Sequence, residues 1–211
     1  MLSDTITTNK KTLGSYIVTV KEVIRAYTAL MNMKLMRLPV FIIAAYDENG
    51  NANAMNAAWV GQVGGNLISL SLSPSHKTTA NIKVVKEFTV SFATKEYVEA
   101  CDYVGMVSGS KVSDKLQKCG FTVTKSDKVN APVIDQLPVA IECKVADIQE
   151  EFGETRIIAE IVGLKADDSV LTDGKVDLSK VHPIMFDSVA RCYREIGEIV
   201  DGAWSAGKKF M

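Results

Sequence analysis

The stretch that decides the fold is Leu38–Ser73, LPVFIIAAYDENGNANAMNAAWVGQVGGNLISLSLS. Pro39–Tyr46 (PVFIIAAY) is a short continuous apolar run, the pattern of a strand buried on both faces. Asp47–Asn51 (DENGN) contains Asn-Gly, the strongest short hairpin signal. A return strand is expected over Ala52–Met55. In Asn66–Ser73 (NLISLSLS), Ile68, Leu70 and Leu72 alternate with Leu67, Ser69, Ser71 and Ser73, which gives a strand with one apolar and one polar face. Between these lies Ala52–Gly65, ANAMNAAWVGQVGG: four alanines, two asparagines and a Met, then a Trp and three glycines. Small side chains there give up burial energy. The backbone is left open for something to lie against it.

Working outward, the apolar spacing of Ile17, Val20, Ile24, Tyr27 and Met31 predicts an amphipathic helix over 15–31. SPSHKTTANIKVVKEF predicts a turn and then a helix, with Thr78 or Thr79 at its N-cap and Ile82, Val85 and Phe88 on its buried face. EFTVSFAT predicts a strand, and KEYVEACDYVGMV a helix ending near Gly105. A loop follows, with Ser113 or Asp114 opening a short helix. PVAIECKVADIQEEFGETRIIAEIVGLKAD predicts two long strands joined near Gly153. The tail HPIMFDSVARCYREIGEIV is mixed. Strand signals dominate, no repeat or linker intervenes, and the expectation is one β-rich domain with three or four helices, a barrel. Residues 1–32 are read as a helical extension and 33–211 as the domain.

Composition narrows the function. The 211 residues are 47% hydrophobic, enough for a substantial core, and the formal net charge is −1. Lys and Arg are scattered, so there is no electrostatic footprint for nucleic acid and no polybasic membrane patch. No stretch reaches the ~18 apolar residues of a membrane span, and Lys21, Glu22 and Arg25 interrupt any signal-peptide core. A cytoplasmic location is expected. Cys101, Cys119, Cys143 and Cys192 form no C-x-x-C pair and read as free, mostly buried thiols. With His76 and His182 the only histidines, no metal site is expected. A dinucleotide fingerprint, a phosphate-binding P-loop and a nucleophile elbow are all absent. Hydrolase and phosphotransferase readings therefore have no support, and no catalytic residue is assigned.

Three pieces remain. SPSHKTTANI places His76, Lys77, Thr78 and Thr79 at a helix start, where free N–H groups, hydroxyls and the helix dipole suit a phosphate; the same threonines serve equally as a simple cap. In DYVGMVSGSKVSDK, Ser108, Gly109, Lys111 and Lys115 either close over a ligand or form a solvated charged loop. Trp59 is either a pocket wall or an ordinary core aromatic.

Taken together and in order, LPVFIIAAYDENGNANAMNAAW, SLSLSPSHKTTANI, FTVSFATKEYVEACDYVGMVSGSKVSDK, APVIDQLPVAIECKV, AEIVGLKAD and KVHPIMFDSVARCYREIGE resemble the FMN-binding split-barrel proteins of the flavin-reductase-like group, and the flavoredoxins among them. The resemblance runs from about Met33 to Lys208. It implies a mainly β (α+β) split barrel with a few flanking helices, a homodimer, and bound FMN carrying hydride or electrons between a donor, NAD(P)H or a redox protein, and an acceptor. A flavin-binding protein without turnover, a sensor or store, is the alternative. By resemblance, Asn53, Asn56, Ala57, Ala58 and Trp59 lie along the flavin, with the alanines admitting the ring to the main chain. Ser73, His76, Thr78 and Asn81 match the ribityl and phosphate segment. Ser108, Gly109 and Lys115 match the phosphate loop, and Phe186 an aromatic near the ring. The chain departs from the pattern in three places. Ser73 stands where members often have Arg, the loop before Lys115 is one residue longer, and GETR, with Glu154 and Arg156, stands where many flavoredoxins have a His.

Overall fold

The computed structural model describes residues 37–211; the helix expected over 15–31 and the extension over 1–32 lie outside them. The strands are β1 (Arg37–Pro39), β2 (Phe41–Tyr46), β3 (Ala52–Ala57), β4 (Val60–Gly64), β5 (Leu67–Leu72), β6 (Glu87–Phe92), β7 (Val123–Lys125), β8 (Pro132–Ile134), β9 (Val139–Glu151), β10 (Glu154–Ala166), β11 (Leu171–Thr172), β12 (Lys175–Val176), β13 (Ile184–Asp187) and β14 (Cys192–Glu195). The α-helices are α1 (Lys77–Val85), α2 (Val98–Met106), α3 (Lys115–Lys118) and α4 (Leu178–Val181).

Seven strands make one antiparallel sheet in the order β3-β2-β6-β9-β10-β5-β4. Its two edges, β3 and β4, are neighbours in the chain, joined through Ala58 and Trp59. The apolar run of β2 is continuous because both of its faces are buried. Ile43 and Ala45 join Met55, Leu70, Phe88, Val90, Cys143, Ile157 and Ala159 in one core. Strands from both ends of the sheet order share that core, so the sheet curls around it into a barrel that stays open between β3 and β4. Ile42 and Ala44 point the other way, against Cys101 and Val104 of α2, Leu116 of α3, Phe121, Ile134 and Ile184.

The expected hairpin forms at Asp47–Asn51, where Asp47 Oδ1 accepts from the N–H groups of Asn49 and Asn51, both at 2.9 Å. Gly50 there takes a φ of +81° that L side chains rarely adopt. The long β9–β10 hairpin turns at Phe152–Gly153 as expected. Several details differ from the sequence reading, among them Phe88, which lies in β6 rather than on the face of α1. The return strand runs two residues further, to Ala57, and β4 occupies VGQVG, where no strand was expected. Val60–Gly64 is mostly exposed, so it carries no alternation of buried and exposed residues to read. Helix α1 begins at Lys77 with His76 at its N-cap, so neither Thr78 nor Thr79 is the cap. Both lie inside the first turn, and Thr79 Oγ1 donates to Ser73 O at 2.9 Å. The mixed tail resolves into β13 and β14, which pair with each other and with β1 in a separate three-stranded sheet.

Candidate functional site

A cavity of about 780 Å3 opens along β3, between the barrel edge, α2 and the β13–β14 hairpin. That volume falls in the range of small-molecule and cofactor sites, about 300–1,000 Å3. Among the described residues, β3 pairs with β2 on one side and with no strand on the other, an edge whose main-chain donors and acceptors can meet a ligand. Ala57 and Ala58 lie on this wall and Trp59 at its end. Trp59 is 55% exposed, a rim residue rather than a core aromatic.

The two asparagines of NAMN bracket the wall. Asn53 is buried and its Nδ2 donates to Thr78 Oγ1 at 2.7 Å, tying β3 to the first turn of α1. Asn56 Nδ2 donates to Cys101 O at 3.3 Å, tying β3 to α2. Each asparagine sits over a glycine: a Cβ on Gly109 would lie 2.1 Å from Asn53 Oδ1, and one on Gly105 would lie 2.1 Å from Asn56 Oδ1. Real Cβ atoms do not approach so closely, so glycine is what lets α2 and the following loop close on β3.

One end of the cavity is polar. Ser73, His76, Lys77 and Thr78 line it at the N-terminus of α1, with Ser108 and Gly109 beside Asn53. Lys77 pairs loosely with Asp47 at 3.8 Å. Lys115 also lines the cavity, and it is buried. Its Nζ donates to Val104 O at 2.8 Å and to Val107 O at 3.0 Å, where α2 ends. Two of its three donors are used on carbonyls, and burial pushes the ammonium down to about 8. The other end is aromatic. Phe186 and Tyr193 face each other across β13–β14 with ring centroids 6.1 Å apart. Tyr193 Oη donates to Asp102 Oδ1 at 2.5 Å, and burial, then Asp102, hold its hydroxyl well above the usual phenol range.

The structure therefore gathers Asn53, Asn56, Ala57, Ala58, Trp59, Ser73, His76, Thr78, Ser108, Gly109, Lys115 and Phe186 around one cavity. Asn81 does not line it; it is buried in α1, and its Nδ2 finds no hydrogen-bond partner. Lys111 is also outside the lining. Of the pair at GETR, Glu154 lines the cavity, while Arg156 turns to Glu151, 3.3 Å away. Sequence reasoning missed Tyr193 and Val104–Val107. Tyr193 had a signal, since CYRE pairs as a hairpin with IMFD and puts Tyr193 opposite Phe186. The residues of α2 had none, because their carbonyls and backbone, not their side-chain types, do the work.

Burial pushes the thiols of Cys101 and Cys143 up to about 12, so neither is a ready thiolate; Cys119 and Cys192 are half-buried. Among the described residues no group of three or more His, Cys, Asp or Glu could hold a metal ion, and no helix is long and apolar enough to cross a membrane.

The chain belongs to the flavin reductase like domain family, whose model matches residues 33–186. It is similar to the flavoredoxin of Desulfovibrio vulgaris, with 36% identity and a TM-score of 0.78 over 83% of this chain and 96% of that one. It is also similar to a flavoredoxin from Methanosarcina acetivorans, with 27% identity and a TM-score of 0.79 over 85% of this chain and 96% of that one. An FMN-binding domain of a flavin reductases-like enzyme from Shewanella baltica shares the fold, with 20% identity and a TM-score of 0.69 over 78% of this chain and 88% of that one.

Proposed function

We propose that this protein binds FMN and passes electrons through it, as a flavin reductase-like enzyme or a flavoredoxin-type carrier. The observation that carries the reading is the edge of β3, unpaired among the described residues, running along the cavity behind two alanines, with a polar helix terminus at one end and an aromatic pair at the other. A planar tricyclic ring needs a flat wall with main-chain groups at its polar rim, and a phosphate needs N–H donors and positive charge. The residues present fit both needs. FMN is named for the Shewanella baltica domain, and both flavoredoxins cover nearly their full length here.

Bound FMN would supply the redox chemistry itself, accepting and releasing electrons from its ring system. The chain's part is binding and shielding. Ala57 and Ala58 admit the ring to the backbone. Trp59, Phe186 and Tyr193 exclude water from its faces. His76, Lys77 and Thr78, at the start of the nine-residue α1, offer hydrogen bonds and the positive dipole end to the phosphate. Lys115 adds a buried cation to the same cavity. No proton donor or base is required of the protein, which matches the absence of a paired acid and base in the sequence.

The reading also carries a homodimer. Exposed apolar surface supports it, since Met106, which lines the cavity, is 75% exposed and Val63 of β4 49%.

The test is the absorbance spectrum of the purified protein with its released cofactor identified by mass. A flavin band and FMN in the extract are the expected result. A colourless protein that also fails to take up added FMN would overturn the reading. Anaerobic addition of NADH, NADPH or dithionite then separates a reductase, which bleaches with NAD(P)H and turns over, from a carrier, which needs another reductant. Native mass measurement reads the dimer.

A further inference from the structure

One acidic residue enters the polar end of the cavity. Glu154 opens β10 and lines the cavity. The β10–β5 ladder pairs Thr155 with Leu72, so the next step along it puts Glu154 beside Ser73, which lines the same end. Thr155 is fully buried, and side chains alternate along a strand, so Glu154 and Arg156 share the opposite, outer face. Arg156 is the next residue on that face, and it pairs elsewhere: its Nη1 donates to Glu151 Oε1 at 3.3 Å. The remaining cations of the cavity are also engaged. Lys77 leans on Asp47, and Lys115 is held by the carbonyls of Val104 and Val107.

We propose that Glu154 is a charge-selectivity residue: its carboxylate opposes an anionic group at the Ser73 end of the cavity, so that this protein discriminates only weakly between a flavin carrying a phosphate and the same flavin without one. The inference rests on the flavin reading above and deepens it. A phosphate monoester carries about −1.5 to −2 charges at neutral pH, and a carboxylate close to it opposes binding through a Coulomb energy that weakens with distance and with salt. The opposition falls on FMN and spares riboflavin, which has the same ring and ribityl chain and no charge. Glu154 is itself exposed, so its replacement leaves the core untouched.

The experiment measures dissociation constants of FMN and riboflavin, by flavin fluorescence titration, for the wild-type apoprotein and for Glu154→Gln, in dilute buffer and at high salt. The expected result is that Glu154→Gln tightens FMN by about three- to tenfold in dilute buffer, leaves riboflavin unchanged, and loses most of its advantage at ~1 M salt, where the Debye length falls to about 3 Å. Equal shifts for the two flavins, or no shift for either, overturn the proposal, because the carboxylate then acts on the ring or on nothing. If the wild type binds neither flavin, the flavin reading itself fails and takes this inference with it.

Discussion

Asn53 and Thr78 stand 25 residues apart in the chain and share a buried hydrogen bond of 2.7 Å, Nδ2 to Oγ1. The bond joins the free edge strand of the barrel to the helix whose N-terminus forms the polar end of the cavity. Thr78 Oγ1 accepts in this bond and keeps its O–H to donate elsewhere. The shared role of the two side chains is to fix the distance between the ring-facing wall and the phosphate-facing helix.

Thr78→Val tests that role. Valine keeps the shape and removes the acceptor, leaving Asn53 Nδ2 buried and unsatisfied at a cost of about 1–3 kcal/mol. In a chain of this size that lowers Tm by about 2–4 °C per kcal/mol. FMN affinity should fall as well, because the helix terminus is no longer held in register with β3. Thr78→Ser, which keeps the hydroxyl, should restore most of both losses. Calorimetry and fluorescence titration read the two effects, and a Thr78→Val protein that matches the wild type in both would show that the bond positions nothing.

Gly105 tests the second bracket. In an exposed helix, replacing Gly by Ala stabilises by about 1 kcal/mol. At Gly105 the added Cβ would fall 2.1 Å from Asn56 Oδ1, so Asn56 must swing away and give up its bond to Cys101 O. Gly105→Ala should therefore destabilise by about 1–2 kcal/mol, while the same change on top of Asn56→Ala should stabilise by roughly the propensity gain. Denaturant midpoints for the four proteins complete the cycle. Additive effects would mean that the two residues do not meet.

Much of this arrangement was legible in the sequence, for identifiable reasons. The barrel core was readable because β2 is apolar on both faces and β5 alternates cleanly, Ile68, Leu70 and Leu72 buried against Ser69 and Ser71. The cavity wall was readable because NAMNAAW spends small residues where bulky ones would pack. Strand β4 was not, since Gly61, Gln62 and Gly64 have no buried face to betray it. Nor was the clamp on Lys115, which depends on carbonyls that every residue carries. The cap of α1 was misjudged for a physical reason as well. Thr78 and Thr79 have hydroxyls suited to capping, but β3 and Ser73 claim both of them.

Ala58→Leu separates site from fold. Ala58 is 8% exposed and lines the cavity wall next to Trp59. A leucine there fills the space in which a ring would lie. FMN affinity should fall by at least tenfold, while circular dichroism and the thermal transition of the apoprotein stay close to wild type, since the added carbons point into the cleft rather than the core. A variant that purifies with a full complement of FMN would place the ring elsewhere.

Lys115 gives a pH signature. Its folded-state pKa is lowered by burial to about 8, whereas an unfolded lysine titrates near 10.4. Between those values the unfolded chain binds more protons than the folded one, so this group makes stability rise with pH. The charged amine is a burden below about pH 8, relieved progressively up to about pH 10.4, and the full span is worth about 3 kcal/mol. Lys115→Met removes the titration. The stability of wild type relative to Lys115→Met should therefore rise as pH climbs from 7.5 to 10, so that any advantage of the variant shrinks and any deficit from the lost bonds to Val104 O and Val107 O widens. Urea denaturation of both apoproteins across that range measures the difference, and parallel curves would mean that Lys115 titrates as an ordinary surface lysine. Saturating FMN should move the wild-type transition further up in pH, because a phosphate beside the amine favours its charged form.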